Sequence, residues 1–241
     1  APDIIFYQGK YHLFYSCSTF GKNRSAIGHA ENATLNPSDS RYKWEDKGCI
    51  VNSVPGRNEW NAIDPNVIVD GDGTPWMTFG SFWNGIKLVK LTTDMNAVAQ
   101  PEEWYTLCKR MNNALPDSLP GDDAVEAPFI YHHGGYYYLF VSFDYCCRGM
   151  KSNYKIAIGR SQNIKGPYLD RDGKDMLQGG GSILLEGDHN TYAAVGHCSV
   201  YDFSGQTYLF AHGYEIHDNG MPHLVKRKLK WTADGWPVVM P

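Results

Sequence analysis

The 241-residue chain has no apolar run that approaches the roughly 18 residues needed to cross a bilayer as a helix. It also lacks an excess of positive charge. Lys and Arg total 22 against 26 Asp and Glu, giving a net charge of −4 and a pI of about 6.1. Nucleic-acid binders usually carry a basic patch or stripe, so that partner class is excluded, as is a membrane. The densest basic cluster, Lys226-Arg-Lys-Leu-Lys230, reads as the solvated face of an edge strand. The chain opens at Ala1-Pro2-Asp3 with neither Met nor a charged-then-apolar leader. No targeting segment is therefore read, and Ala1 is not expected to be the natural start.

Cysteine is sparse: six residues, at 17, 49, 108, 146, 147 and 198. They show neither metal-ligand spacing nor the density of a disulfide scaffold. Cys146 and Cys147 are expected as two free buried thiols, because a bond between neighbours strains the peptide that joins them. Helical periodicity is missing too, with one turn around Pro101-Glu-Glu-Trp104 as the nearest approach. No low-complexity linker or shift in composition divides the chain, which reads as one domain over 1–241.

What is plentiful is aromatic: 7 Trp, 16 Tyr and 10 Phe. Most suit a β core. The excess also suits a carbohydrate binder, since the C–H face of a sugar packs on aromatic rings. Turn signals at Gln8-Gly9, Asp70-Gly-Asp-Gly73, Gly134-Gly135, Asp172-Gly173, Ser204-Gly205 and Asp234-Gly235 punctuate short strands such as Ile86–Lys90 and Lys155–Gly159.

The strands repeat. Four segments, Ala-Pro-Asp3-Ile, Ala-Ile-Asp64-Pro, Val-Glu126-Ala-Pro and Gly-His197-Cys-Ser, each lead through a turn into an aromatic strand. Asp3, Asp64, Glu126 and His197 lie 61, 62 and 71 residues apart. A repeat of that length holds a four-stranded antiparallel sheet, and a ring of such sheets is a β-propeller. A sandwich or jelly roll is the alternative, but it leaves the regular openers unexplained. The innermost strand of a propeller blade lines the central channel, so the four openers are expected to gather at one mouth of it.

Two carboxylates facing a cleft can hydrolyse a glycosidic bond, one protonating the leaving oxygen and the other activating water across a gap of roughly 6.5–9.5 Å. Glu126 precedes Ala127-Pro128-Phe129, an apolar setting that suits a proton donor. A nearby Asp64 would reinforce that role as a fixed negative charge. Each residue alone reads first as a turn cap; the recurrence favours a site. His197 has three readings: a hydrogen-bonded core histidine, a metal ligand or a substrate contact. No second ligand sits at zinc spacing around it, so among metals only a hard cation held mostly by water stays open beside the core-histidine and substrate-contact readings.

The motifs Asn61-Ala-Ile-Asp64-Pro-Asn, Trp76-Met-Thr-Phe-Gly-Ser-Phe-Trp83, Glu126-Ala-Pro-Phe-Ile, Ser142-Phe-Asp-Tyr-Cys-Cys-Arg-Gly149, Gly166-Pro-Tyr and Asp234-Gly-Trp-Pro237, in this order, resemble the endo-α-1,5-L-arabinanases of glycoside hydrolase family 43 over nearly the whole chain. The resemblance implies a five-bladed β-propeller, with about four blades' worth of sequence here, that hydrolyses α-1,5-linked arabinan with inversion. It makes Glu126 the general acid and Asp64 the residue that tunes its pKa and positions substrate. It makes His197 the channel histidine that helps hold a calcium ion, largely through waters. Asn61, Ala62 and Ile63 with Asp64, Ser81-Phe82-Trp83, and Phe20-Gly21 match segments that wall the arabinose cleft.

The family's general base is an aspartate upstream of a Trp-Ala-Pro-Asp motif, and this chain begins just after that Trp, so the first blade and the base are expected to be absent. Asp3 matches a structural aspartate and is no substitute. Exposed strand edges at the gap imply self-association through it or closure into a four-bladed ring. Competing expectations are a carbohydrate-binding remnant without turnover and a related family 43 exo-arabinofuranosidase or xylosidase. Polymeric arabinan is met outside the cytoplasm, which implies a secreted or periplasmic protein.

Overall fold

The computed structural model of the protein describes residues 1–110 and 123–240. Two compact units divide the chain, Ala1–Asp123 and Ala124–Pro241. Apart from three short 3-10 turns, at Gly149–Lys151, Met176–Gln178 and Ile216–Asp218, the regular structure of the described residues is all β.

The first unit holds two antiparallel four-stranded meanders. One runs β1 (Asp3–Tyr7), β2 (Lys10–Ser18), β3 (Ser25–Asn32), β4 (Glu45–Ser53); the other β5 (Asn66–Val69), β6 (Pro75–Phe79), β7 (Ile86–Lys90), β8 (Trp104–Cys108). The second unit repeats the plan. Its sheets are β9 (Val125–His133), β10 (Tyr136–Phe143), β11 (Lys155–Ser161), β12 (Ser182–Glu186), then β13 (Tyr192–Phe203), β14 (Gln206–Glu215), β15 (Met221–Trp231), β16 (Pro237–Val239). Strand order equals chain order in every sheet. These are the blades of an all-β propeller, as the repeat predicts.

Apolar residues, chiefly on second and third strands, form the core within each unit. Phe14, Ile27, Met77, Phe79 and Val89 cluster in the first, and Tyr138, Phe140, Ile158, Val200 and Leu209 in the second. Removing one such side chain from water is worth roughly 1.5–3 kcal/mol.

Two local expectations are corrected. Residues 101–103 make no helical turn, and Trp104 instead opens β8 against Val89. The basic cluster does present Lys226, Lys228 and Lys230 to solvent, but β15 is not an edge: it pairs with β14, and from Leu229 onward with β16.

The hydrogen-bond register also resets the frame of the repeat. Asp3, Phe129 and Ser199 each stand four residues before the last residue of their strand, Tyr7, His133 and Phe203, where a two-residue turn follows. Their ladder partners are Phe14, Phe140 and Phe210, and in the second blade Asn66 faces Thr78. The equivalent tripeptides are therefore Ala1-Pro-Asp3, Asp64-Pro-Asn66, Ala127-Pro-Phe129 and His197-Cys-Ser199. Asp64 and His197 are true counterparts. Asp3 falls two residues later and Glu126 one residue earlier. In the third and fourth blades the frame also includes a bulge. Ala127 and Pro128 oppose Val141 alone, and His197 and Cys198 oppose Ala211 alone. Matching by residue type cannot see that extra residue.

Candidate active site

The first residue of the equivalent tripeptide is left-handed in three blades, and in the third and fourth it opens the bulge. Asp64 has φ 56°, Ala127 φ 55° and His197 φ 54°. For a residue with a Cβ this conformation costs about 1–2 kcal/mol, and such outliers gather at functional sites. Proline follows two of them, Pro65 and Pro128; lacking an N–H, it suits a bulge where a ladder bond is absent.

In the first unit Asp64 is 6% exposed. Its N–H donates to Ser16 Oγ at 3.1 Å, and Ser16 Oγ donates to the Ala1 carbonyl at 3.0 Å. The Ala1 nitrogen lies 3.4 Å from Asp64 Oδ1. Asp3 bonds elsewhere. Its Oδ2 accepts from Val67 N at 2.8 Å and Asn66 Nδ2 at 3.1 Å, pinning the first blade to the second. The structure thus gives Asp3 the structural role expected of it.

The predicted wall segments come together around Asp64. Ser25 Oγ donates to Asn61 Oδ1 at 2.6 Å, and Asn23 Nδ2 donates to the carbonyls of Asn58 and Trp60. These bonds tie the β2–β3 turn that carries Phe20 and Gly21 to the segment before Asp64. Gly80 N donates to Ile63 O and Asn84 N to Glu59 O, both at 2.9 Å, which brings Ser81–Trp83 to the same segment. Phe82 (φ 57°) and Trp83 (φ 47°) are consecutive left-handed residues. Phe20 is 91% exposed, whereas Ala62, Ser81 and Trp83 are buried. Phe20 therefore presents its ring to solvent, whereas Ala62 and Trp83 belong to the packed interior.

In the second unit Glu126 faces Ser142 across β9 and β10, immediately before the bulge. Tyr154, 1% exposed, donates its hydroxyl proton to Glu126 Oε1 at 2.5 Å. A bond to a carboxylate is among the stronger hydrogen bonds. The Tyr154 ring lies against Gly196, where a Cβ would sit 2.0 Å from Cδ1. Gly196 is the ladder counterpart of Glu126. The fourth blade thus gives up a side chain to make room for Tyr154 of the third.

His197 follows, its N–H donating to Ser142 Oγ at 2.8 Å. Burial pushes the His197 imidazole down to about 4, and likewise that of His212, whose ring centroid is 6.0 Å away. Both rings are neutral near pH 7. Burial, offset by the N–H of Cys147 and reinforced by the Glu126 charge, raises the Tyr214 hydroxyl pKa.

Cys146 and Cys147 are bonded to each other, contrary to the expectation of two free buried thiols. The loop between β10 and β11 is at the surface, where Cys147 is exposed, and the neighbouring bond is accommodated with Cys147 at φ 63°. The Cys147 N–H donates to Tyr214 Oη at 2.8 Å.

Sequence reasoning names Glu126, Asp64 and His197 but misses Tyr154, Gly196, Ser16 and Ser142. The serines had a signal. Leu13-Phe-Tyr-Ser16 and Leu139-Phe-Val-Ser142 are the same Leu-Phe-x-Ser repeat, and each serine accepts the N–H of the left-handed residue in the next blade.

Comparison with known proteins gives this architecture its relatives. The extracellular exo-α-(1→5)-L-arabinofuranosidase ArbA of Cellvibrio japonicus is 49% identical over 240 residues, covering 99% of this chain and 69% of its own length. The extracellular endo-α-(1→5)-L-arabinanase 1 of Bacillus subtilis is 45% identical over 237 residues, covering 98% and 67%. The solved structure of Cellvibrio cellulosa α-L-arabinanase complexed with arabinohexaose aligns with a TM-score of 0.96 at 48% identity, over 99% of this chain and 76% of that one. Residues 1–237 match the model of glycosyl hydrolases family 43, and the chain belongs to that family.

Proposed function

We propose that this glycoside hydrolase cleaves α-1,5-linked arabinan with inversion, with Glu126 as general acid. The observation that carries the reading is the Glu126 carboxyl itself. It is placed before a strained bulge, partly exposed, and held at 2.5 Å by a tyrosine whose ring is locked against Gly196. A donor so positioned can deliver its proton to one oxygen of a bound substrate rather than to water. The family membership and the names of the relatives support the substrate class.

Asp64 tunes the acid's pKa and positions substrate. Phe20, Gly21, Asn61, Ala62, Ile63, Ser81, Phe82 and Trp83 form the wall against which arabinose units lie. Phe20 is the exposed ring for a sugar face. The carboxylate that activates water falls, on this reading, outside the 241 residues.

His197 would contribute one neutral nitrogen, and a calcium ion there would take the rest of its ligands as oxygens, chiefly from water. Such an ion would supply a fixed positive charge beside His197. Loss of turnover on treatment with a calcium chelator, restored by Ca²⁺, tests the ion.

The central test is release of reducing ends from linear arabinan. Activity that disappears in Glu126→Ala supports the acid. Binding of arabino-oligosaccharides without turnover by the unmutated chain would make it a carbohydrate-binding protein instead. The exo-acting name of the Cellvibrio japonicus relative favours a second reading, exo-arabinofuranosidase action, which the size distribution of early products separates from endo cleavage.

A further inference from the structure

Three buried groups in the first unit stand apart from the residues above. His12 lies on β2, and His29 and Glu31 on β3; they are 3%, 0% and 6% exposed. His12 Nδ1 is 3.0 Å from His29 Nε2, with ring planes within 8° and centroids 5.2 Å apart, so the two nitrogens meet nearly head-on.

The outward nitrogens decide the protons. His12 Nε2 is 3.2 Å from the Tyr7 carbonyl, which can only accept, so it carries hydrogen. Asn96 Nδ2 donates to Asp94 Oδ2 at 2.9 Å, which turns the Asn96 oxygen toward His29 Nδ1 at 3.1 Å. That nitrogen carries hydrogen as well. A neutral imidazole has one N–H. With both outward nitrogens carrying hydrogen, the inward nitrogens present lone pairs to each other, an arrangement that a shared cation relieves. A third proton would charge a pair of rings removed from water, which burial opposes.

Glu31 divides its two oxygens. Oε2 receives Lys10 Nζ at 2.8 Å and Lys47 Nζ at 3.4 Å, while Oε1 faces the imidazoles, 3.8 Å from His12 Nδ1. The three candidate ligand atoms lie within 4.8 Å of one another. We propose that His12 Nδ1, His29 Nε2 and Glu31 Oε1 bind a divalent transition-metal ion of the zinc class. Two imidazoles and a carboxylate suit that class. Zinc takes such nitrogens at about 2.0–2.1 Å, and a tetrahedral angle then sets them about 3.3 Å apart, so the rings part by a few tenths of an ångström. Each histidine already donates its far N–H to an acceptor, as metal-bound histidines do.

The ion is structural. It fastens β2 to β3 directly, β1 through the Tyr7 carbonyl, and the Thr92–Ala97 turn of the second blade through Asn96. Binding would stabilise the folded chain by mass action.

The test uses the whole chain, stripped by a chelator and titrated with Zn²⁺ alone. The expected result is one tightly bound equivalent and a rise in Tm. His29→Gln and Glu31→Gln each weaken binding by on the order of 100-fold, and Asn96→Ala by about 10–100-fold. Anomalous diffraction at the zinc edge should place the ion between the two rings of the unmutated protein, an outcome that does not depend on any variant folding. The absence of a peak there, or affinity unchanged in both His12→Gln and His29→Gln, overturns the site.

Discussion

The third and fourth blades contain the same bulge with opposite contents. In the third, the residue before the left-handed position is Glu126 and the left-handed residue is Ala127. In the fourth, these are Gly196 and His197. Functional side chains thus alternate between two adjacent ladder positions, and each blade leaves the other position small. Tyr154 explains the smallness in the fourth blade, since its ring fills the space a side chain at Gly196 would take. The bulge is the shared device, and its contents differ by blade.

The largest effect should come from the carboxyl that only the third blade carries. In the protein that also carries its general base, Glu126→Ala is expected to lower arabinan turnover by about 10²–10⁴-fold, the usual range for a general acid, while oligosaccharide binding persists. A rate near that of the unmutated enzyme would remove Glu126 from the chemistry. Next is Gly196→Ala, which puts a methyl group 2.0 Å from a fully buried ring. A destabilisation of about 1–3 kcal/mol is expected from such overpacking, with lost turnover because Tyr154 is displaced from Glu126. Denaturant midpoints and turnover measured together would show whether both change.

Tyr154→Phe separates the packing from the hydrogen bond. The ring stays and the 2.5 Å bond to Glu126 goes, so turnover and its pH profile should change far more than packing. A hydrogen bond to a charged group contributes about 1.5–3 kcal/mol. An unaltered pH profile would reduce the tyrosine to a packing role. Ser142→Ala comes next. Ser142 is fully buried, so the His197 N–H it accepts would be left unsatisfied, at a cost of about 1–3 kcal/mol. The matching Ser16→Ala should cost less, because Ser16 is partly exposed and water can replace it.

Much of this was legible in the sequence, for physical reasons. Turn glycines and alternating aromatics mark hairpins wherever they occur, so Ile86–Lys90 and the turns at Gln8-Gly9 and Gly134-Gly135 were found where the structure has them. The Leu-Phe-x-Ser repeat was visible but carried no chemistry until its partner in the next blade was seen. The bulges were not legible, because an extra residue in a strand has no composition of its own. Asp3 aligns with Asp64 by residue type alone, though its carboxylate accepts from Asn66 and Val67. Gly196 looked like an ordinary strand glycine because the ring that requires it is Tyr154, forty-two residues away.

The smallest expected effect tests the bulge alone. Ala127 is left-handed without a polar side chain to account for it, whereas His197 holds the same φ. Glycine adopts φ near 55° freely, so Ala127→Gly relieves about 1–2 kcal/mol of strain in the folded chain. It also loosens the unfolded chain, which takes back roughly 0.4–1 kcal/mol. Stability should therefore rise slightly or stay level, which thermal unfolding can measure. If the strained backbone is what aims Glu126 at its tyrosine, turnover should nonetheless fall, because a glycine there holds the strand less firmly. A variant that gained stability and kept full turnover would show that Tyr154 alone positions the acid.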